Sequence, residues 1–420
     1  MASATPEDAR PLVFRPQASR DGGSDFAFTA LPPLSLYIHI PWCIRKCPYC
    51  DFNSHESGNR IPDAEDYIEA LTRDLEQELP AVWGRTIDSI FIGGGTPSLL
   101  SPNSIDALLS MVRARLPLRP GLEVTMEANP GTFERGRFIA YREAGINRLS
   151  IGVQSFDAEH LKRIGRVHGP AEAVMACREA AEAGFSGWNI DLMFGLPDQD
   201  PEAALSDLNQ AIELAPGHIS HYQLTLEPNT AFQHKPPPLP DEETLWLIQT
   251  QGQRVLRDAG YDQYEVSAYA RRGRHCHHNR NYWGFGDYIG IGAGAHGKIS
   301  IASEQRILRY SKQRLPETFM GTAGTSDCAV NPHYPNEADT IFEFMMNAFR
   351  LNEGFTWEQF RNRTGLLNTH IVGPLLDEAR RRGLIETAHD AIRASELGRR
   401  HLNDLLMIFL SDAQPPEEDR

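Results

Sequence analysis

The chain has 420 residues, 41% of them hydrophobic and 23% charged, which suits one large globular domain with a smaller partner and excludes disorder for most of its length. A formal net charge of −15 excludes a general nucleic-acid binder, because there is no basic surplus to neutralise phosphates. No apolar run reaches the roughly 18 residues of a membrane-spanning helix, and the N-terminus lacks the apolar stretch of a secretory signal, so a cytoplasmic location is expected.

Residues 1–33 read as a flexible leader rich in Pro, Gly, Ser and Asp. From residue 34 short apolar runs alternate with amphipathic segments. The runs are LSLYIHIP (34–41), SIFIGGG (89–95), EVTMEANP (123–130), RLSIGVQS (148–155), NIDLMFGLP (189–197) and HISHYQLTLEPN (218–229). Each is β-branched or aromatic and ends on or beside Gly, Pro or Asn, as buried parallel strands do. Between them Ile68, Leu71, Leu75 and Leu79 recur at helical spacing, as do Ile105, Leu108, Leu109, Val112 and Leu116. Asp63 after Pro62 gives the first helix a start signal, and residues 241–259, closing on Gly260, predict another.

Six strand-then-helix units predict an α/β fold, a parallel sheet curled into a partial (β/α)6 barrel over residues 34–270. A flat doubly wound sheet has less support, since no GxGxxG follows the first strand. In such a barrel functional groups gather at the strand ends, here Cys43, Gly93–Thr96, Glu127, Gln154 and Asp191, which would face one mouth. Beyond 270 the repeat breaks: HCHHNRNYWGFGDYIGIGAGAHG (275–297) reads as a functional loop, and the stretch 271–336 as that loop plus a linker. Helices at Trp357–Arg363 and His370–Arg382, the segment GLIE and a last helix at Arg399–Leu410 predict a small winged-helix-like domain over 337–412. Phe342, Phe344, Met345, Met346 and Phe349 would form its core, and 413–420 is an acidic tail. His39 and His221, alternating with apolar residues, read as satisfied core histidines.

Three of the six cysteines, Cys43, Cys47 and Cys50, form CxxxCxxC. Three thiolates on a short loop can hold three irons of a 4Fe–4S cubane and leave the fourth open to a small chelator, whereas structural zinc wants a fourth protein ligand that has no partner motif here. Gly93-Gly94-Gly95-Thr96-Pro97 ends the second strand, and backbone groups exposed there can bind an amino-acid head group. It is not a phosphate loop, because GxxxxGK is absent. Taken singly, Glu127, Gln154, Arg166 and Asp191 fit helix caps or surface positions; together they are credible contacts to a bound nucleoside.

The run YIHIPWCIRKCPYCDF (37–52), with GGGTPS, EANP, LSIGVQSF and NIDLMFGLP, resembles the radical S-adenosylmethionine (SAM) superfamily. Within it, the likeness from about residue 34 onward is to the family of oxygen-independent coproporphyrinogen III oxidases and the heme chaperones related to them. That resemblance implies SAM chelated to the open iron and contacted by Tyr37, Gly94, Gly95, Thr96, Glu127, Gln154, Arg166 and Asp191. The oxidases carry a fourth cysteine where this chain has Phe52, which favours the heme-chaperone branch and places coproporphyrinogen oxidation in doubt, though it stands as the alternative. The segment His278-Asn279-Arg280-Asn281-Tyr282 is similar to the HNxxY motif of those chaperones, which implies heme with His278 as favoured ligand and Tyr282 beside it. On the residues alone, a loop whose His and Tyr hydrogen-bond the barrel edge fits equally well. The resemblance further implies transfer of heme to acceptor apoproteins, membrane-bound respiratory proteins among them, and heme-linked homodimerisation. It leaves open whether cluster and SAM control assembly rather than perform radical chemistry.

Overall fold

The six apolar runs become six parallel strands, adjacent in space and in chain order: β1 (Leu34–Ile40), β2 (Ile87–Gly94), β3 (Leu118–Ala128), β4 (Arg148–Gln154), β5 (Gly187–Phe194) and β6 (His218–Gln223). The computed structural model describes residues 26–57, 64–131, 136–367 and 370–410, so most of the leader, the Pro62-Asp63 start signal and the acidic tail lie outside the described residues. Helices α1 (Ala64–Glu78), α2 (Pro102–Arg115), α3 (Arg137–Ala144), α4 (Ala158–Arg163), α5 (Pro170–Glu182) and α6 (Pro201–Glu213) carry the chain back between strands. Helix α7 (Glu242–Asp258) starts where its acids place it, with the Asp241 carboxylate accepting the Thr244 N–H at 2.8 Å.

The strands obey the period of two. Leu36, Ile38 and Ile40 of β1, Ile90 and Ile92 of β2, Leu149, Ile151 and Val153 of β4, and Ile190 and Leu192 of β5 are buried in the main core with α1, α2 and α5. The alternate residues, among them Tyr37, His39, Phe91, Ser150, Asn189, Asp191, His218 and Ser220, line a cavity on the other face. One face of the sheet thus builds stability and the other builds a site.

The stretch read as loop and linker is different in the structure. Residues 271–336 hold helix α8 (His277–Trp283), and, after the edge strands β7 (Asp262–Glu265) and β8 (Ala268–Ala270), four more strands: β9 (Asp287–Ile291), β10 (His296–Ile301), β11 (Arg306–Lys312) and β12 (Ala329–His333). The whole forms a 12-stranded sheet in the order β12-β11-β10-β9-β1-β2-β3-β4-β5-β6-β8-β7, with β9 parallel to β1 and the far edges unjoined, an open partial barrel. The glycines that suggested a loop serve close strand approach instead: a Cβ on Gly290 would lie 1.9 Å from His296 O, and one on Gly297 2.1 Å from the Tyr310 ring.

Buried ion pairs fasten this added layer. Lys312 Nζ lies 2.6 Å from both Asp74 and Glu78 of α1, and Lys298 Nζ lies 2.9 Å from Asp287, which also takes Arg85 at 2.8 Å. Removing one partner of such a pair leaves a buried charge uncompensated and costs about 3–5 kcal/mol.

The C-terminal region has helices α9 (Glu337–Ala348), α10 (Trp357–Thr364) and α11 (Val372–Arg381), then a hairpin of β13 (Ile385–Ala388) and β14 (Ala391–Ala394), the helix-then-wing order expected. The predicted single last helix is two short ones, α12 (Glu396–Arg400) and α13 (Leu402–Met407). Phe344, Met345 and Phe349 are buried in the core of this region, with Phe342 packed against it, whereas Met346 is 40% exposed on the far side of α9. That core also takes in Phe285 and Ile307 from the barrel side, so the two regions pack as neighbours. Among the described residues no helix is long and apolar enough to cross a membrane.

Candidate functional site

Every residue singled out as a candidate ligand lines one cavity of about 1340 Å³: the three cysteines, the eight candidate SAM contacts, His278 and Tyr282. A pocket for one small molecule commonly runs to roughly 300–1,000 Å³, so this one has room for more than a single nucleoside.

At the cysteine end the backbone does the positioning. The chain leaving β1 is gripped by the end of β2, where Gly95 N–H donates to Ile40 O at 2.7 Å and Thr96 N–H to Trp42 O at 2.8 Å. A Cβ on Gly95 would sit 2.5 Å from Trp42 O, so only glycine permits the approach. Gly94, at φ +113°, donates its N–H to Glu127 Oε2 at 3.0 Å. The Thr96 hydroxyl donates to Cys43 Sγ at 3.3 Å and accepts from Asn129 Nδ2 at 2.9 Å; Asn129 Oδ1 in turn takes Arg166 Nη2 at 2.7 Å, and Arg166 Nη1 lies 3.8 Å from Cys47 Sγ. A chain of hydrogen bonds thus links two of the cysteines through residues just past β2, β3 and α4.

Burial pushes the Cys43 thiol up to about 11 and raises that of Cys50, so these two are held protonated. The donor set fits an iron–sulfur cubane: three partly buried thiols, a guanidinium beside one of them to offset thiolate charge, and buried Arg166 Nε with no partner among the described residues. Among the described residues no three His, Cys, Asp or Glu side chains are grouped round a single ion position, as a closed zinc site would have them.

Deeper in the barrel, Asp191 accepts from Ser150 Oγ at 2.9 Å and Asn189 Nδ2 at 2.7 Å. It stands in the middle of β5 rather than at its end, so it forms the floor and not the rim. Burial, and after it the charge of Asp191, pushes Glu127 up to about 8. Gln154 ends β4 at φ +71°, a region non-glycine residues avoid, and its Oε1 accepts the Tyr222 hydroxyl at 2.7 Å. Carboxyls and an amide fixed in this way can bind the hydroxyls and ammonium of a nucleoside-linked amino acid. Asn129, Arg148, Asn189, His218 and Tyr222 also line the cavity and were missed in the sequence. The signal for all but Asn129 was there, since each occupies an inward position of β4, β5 or β6, and Asn129 lies two residues beyond Glu127 in EANP.

The His278 end is held by side chains. The N–H groups of His277 and His278 donate to the Glu123 carboxylate at 3.2 Å each, which caps the start of α8, and Glu123 lies 3.8 Å from buried Arg148. Asn281 Nδ2 donates to Ser35 Oγ at 2.8 Å, and Arg280 pairs with Glu353 at 2.6 Å. The His278 ring packs 4.9 Å from Phe91, with Nδ1 3.3 Å from Ser89 Oγ, and its Nε2 has no protein partner among the described residues. Burial lowers His278 to about 4, so the imidazole is neutral, the form that binds a metal. Tyr282 is 40% exposed and borders Trp283 and Tyr288 at 4.9 and 5.3 Å between ring centres. His275, Cys276 and His277 do not line the cavity; Cys276 is buried against Glu123, with its thiol pushed up to about 12. His39 has both ring nitrogens bonded, to Tyr37 OH and Asn53 O at 2.9 Å, although its ring also faces the cavity.

Comparison with known proteins gives consistent likenesses. Residues 37–210 match the family model of the Radical SAM superfamily, and 336–401 that of the HemN C-terminal domain. The chain is 53% identical to the heme chaperone HemW of Escherichia coli, covering 91% of this chain and 99% of that protein. It is 47% identical to the heme chaperone HemW of Haemophilus influenzae, with the same coverage of 91% and 99%. Among solved structures it is similar to coproporphyrinogen III oxidase (HemN) of Escherichia coli, a radical SAM enzyme, at a TM-score of 0.76 and 24% identity over 91% of each chain, a likeness of fold.

Proposed function

The chain belongs to the family of the heme chaperone HemW, within the radical SAM superfamily, and on that premise we propose that it binds heme and passes it to acceptor apoproteins, membrane-bound respiratory proteins among them. Cys43, Cys47 and Cys50 hold a 4Fe–4S cluster, whose open iron gives SAM a place to chelate. The Gly94–Thr96 backbone, Tyr37, Glu127, Gln154, Asp191 and the unpartnered Nε of Arg166 surround SAM and orient it. His278 offers its neutral imidazole to the heme iron, and Tyr282 covers the ring beside it. The observation that carries this reading is the single cavity: the thiols and His278 line the same 1340 Å³ space, so cluster, SAM and heme come within reach of one another. Cluster and SAM would then act on the transfer of heme, while the affinity for heme is set by the His278 end itself.

The competing reading is porphyrinogen oxidation. Against it, Phe52 stands where the oxidases keep a fourth cysteine and is 59% exposed at the cavity mouth, where it can offer no thiol. Anaerobic reconstitution of the cluster, followed by titration with heme and, separately, incubation with SAM, reductant and coproporphyrinogen III, tests the two together. The expected result is a heme spectrum in the wild type that disappears in His278→Ala, heme-dependent dimerisation in size-exclusion chromatography, and no protoporphyrinogen. Formation of protoporphyrinogen would overturn the chaperone reading.

A further inference from the structure

Beyond His278 the cavity wall holds three buried polar atoms with no hydrogen-bond partner among the described residues: Arg350 Nε, Trp283 Nε1 and Glu265 Oε2. Buried polar groups are nearly always paired, so three orphans on one cavity wall mark the place of a polar ligand group. Their positions are fixed by different parts of the chain. Arg350 follows α9, where the chain runs along the barrel's edge strand: Val266 N–H donates to Arg350 O at 3.1 Å, and Asn352 N–H to Tyr264 O at 3.0 Å. The guanidinium lies 4.3 Å over the Trp283 ring, and Trp283 ends the helix that carries His278. Burial raises the Glu265 carboxyl above the usual carboxylate range, which favours its protonated, hydrogen-donating form. A guanidinium N–H, an indole N–H and a carboxylic O–H make a set of donors with one cation among them. An anionic oxygen group of modest charge fits it, and a carboxylate does so better than a dianionic phosphate set beside Glu265.

We propose that Arg350, Trp283 and Glu265 form a carboxylate-binding subsite that anchors a propionate of the porphyrin whose iron His278 ligates. The inference rests on the heme reading above and adds to it the part of the ligand that is recognised apart from the metal. His278 and Trp283 are five residues apart on one helix, about 7.5 Å of rise, and both line the same cavity. The wall between them, with Tyr282 and Tyr288, is aromatic, as a planar macrocycle requires. The other carboxylate that this cavity would receive is that of SAM, and the test separates the two.

Wild type, Arg350→Met and the milder Trp283→Phe, all with reconstituted cluster, are titrated with hemin, with hemin dimethyl ester and with SAM. In the wild type hemin binds about ten-fold more tightly than its diester, because a hydrogen bond to a charged group is worth that much. Arg350→Met reduces this preference to about two-fold or less, with the affinities for diester and SAM unchanged, and Trp283→Phe, which keeps a ring and removes the N–H, reduces it in part. A preference that survives in both variants, with hemin still bound, overturns the subsite and leaves the heme reading standing. A fall in SAM affinity in place of the hemin preference overturns it too, assigning the carboxylate to SAM. Failure of the wild type to bind either porphyrin overturns the heme reading, and the subsite with it.

Discussion

The two ends of the cavity are built by opposite means. At the cysteine end three thiols lie within eight residues, and backbone hydrogen bonds from Gly95 and Thr96, just past β2, hold the chain that enters their loop. At the other end His278 sits on a seven-residue helix too short to be stable alone, held by Glu123 from β3, by Ser35 from β1 and by Glu353 from the C-terminal region. The comparison teaches that a cluster site can be nearly local, because its ligands are adjacent in the chain and its support is main chain. The His278 end has to be assembled from the whole fold.

The largest effect that probes this division is expected from Cys47→Ala. It removes the iron–sulfur absorption entirely and SAM binding with it, while heme affinity stays within about two-fold, as for distant sites whose effects add. Heme titration of this variant checks the point; a large loss of heme affinity would mean that the ends are one unit. A smaller effect is expected from Glu123→Ala, which uncaps α8 and leaves Arg148 buried without its carboxylate. Loss of a helix cap costs about 1 kcal/mol, so heme affinity falls about five-fold with the cluster spectrum unchanged, and Glu123→Gln, which keeps an acceptor, falls less.

The smallest effect concerns pH. With His278 lowered from 6.5 to about 4, the ring is neutral well below neutrality, and no proton has to leave when it binds iron. Heme affinity is therefore expected to stay flat between about pH 6 and 8 in spectrophotometric titrations, whereas an unperturbed histidine would begin to lose affinity as pH falls through 6.5. The linkage to stability has the same sign. The unfolded chain binds more protons between about 4 and 6.5, so the contribution of the neutral ring is full above 6.5 and is lost as pH falls toward 4.

Much of the barrel was legible because its strands are short apolar runs with clear stops, and Leu36, Ile38 and Ile40 face the core as such runs should. The four strands β9 to β12 were not legible. Their glycines, Gly290 and Gly297 among them, look like loop residues until the neighbouring strand that occupies the missing Cβ is known. The last helix was predicted as one and is broken at His401, which sits at φ −116°, a non-helical angle that the residue types around it do not announce. In the site, Glu127, Gln154, Arg166 and Asp191 were found as polar residues at or beyond strand ends. Arg148, His218 and Tyr222 went unnoticed, although they occupy the same inward face.

By itself the sequence determined the three-cysteine loop, the parallel strands and the family likeness, since contiguous motifs and a period of two are properties of the chain alone. Only the tertiary structure decided that residues 271–336 extend the sheet, that Glu123 caps the helix of His278, and that Arg350, Trp283 and Glu265 meet on one wall. Partners hundreds of residues apart are brought together by packing and buried charge, and no local pattern records that distance.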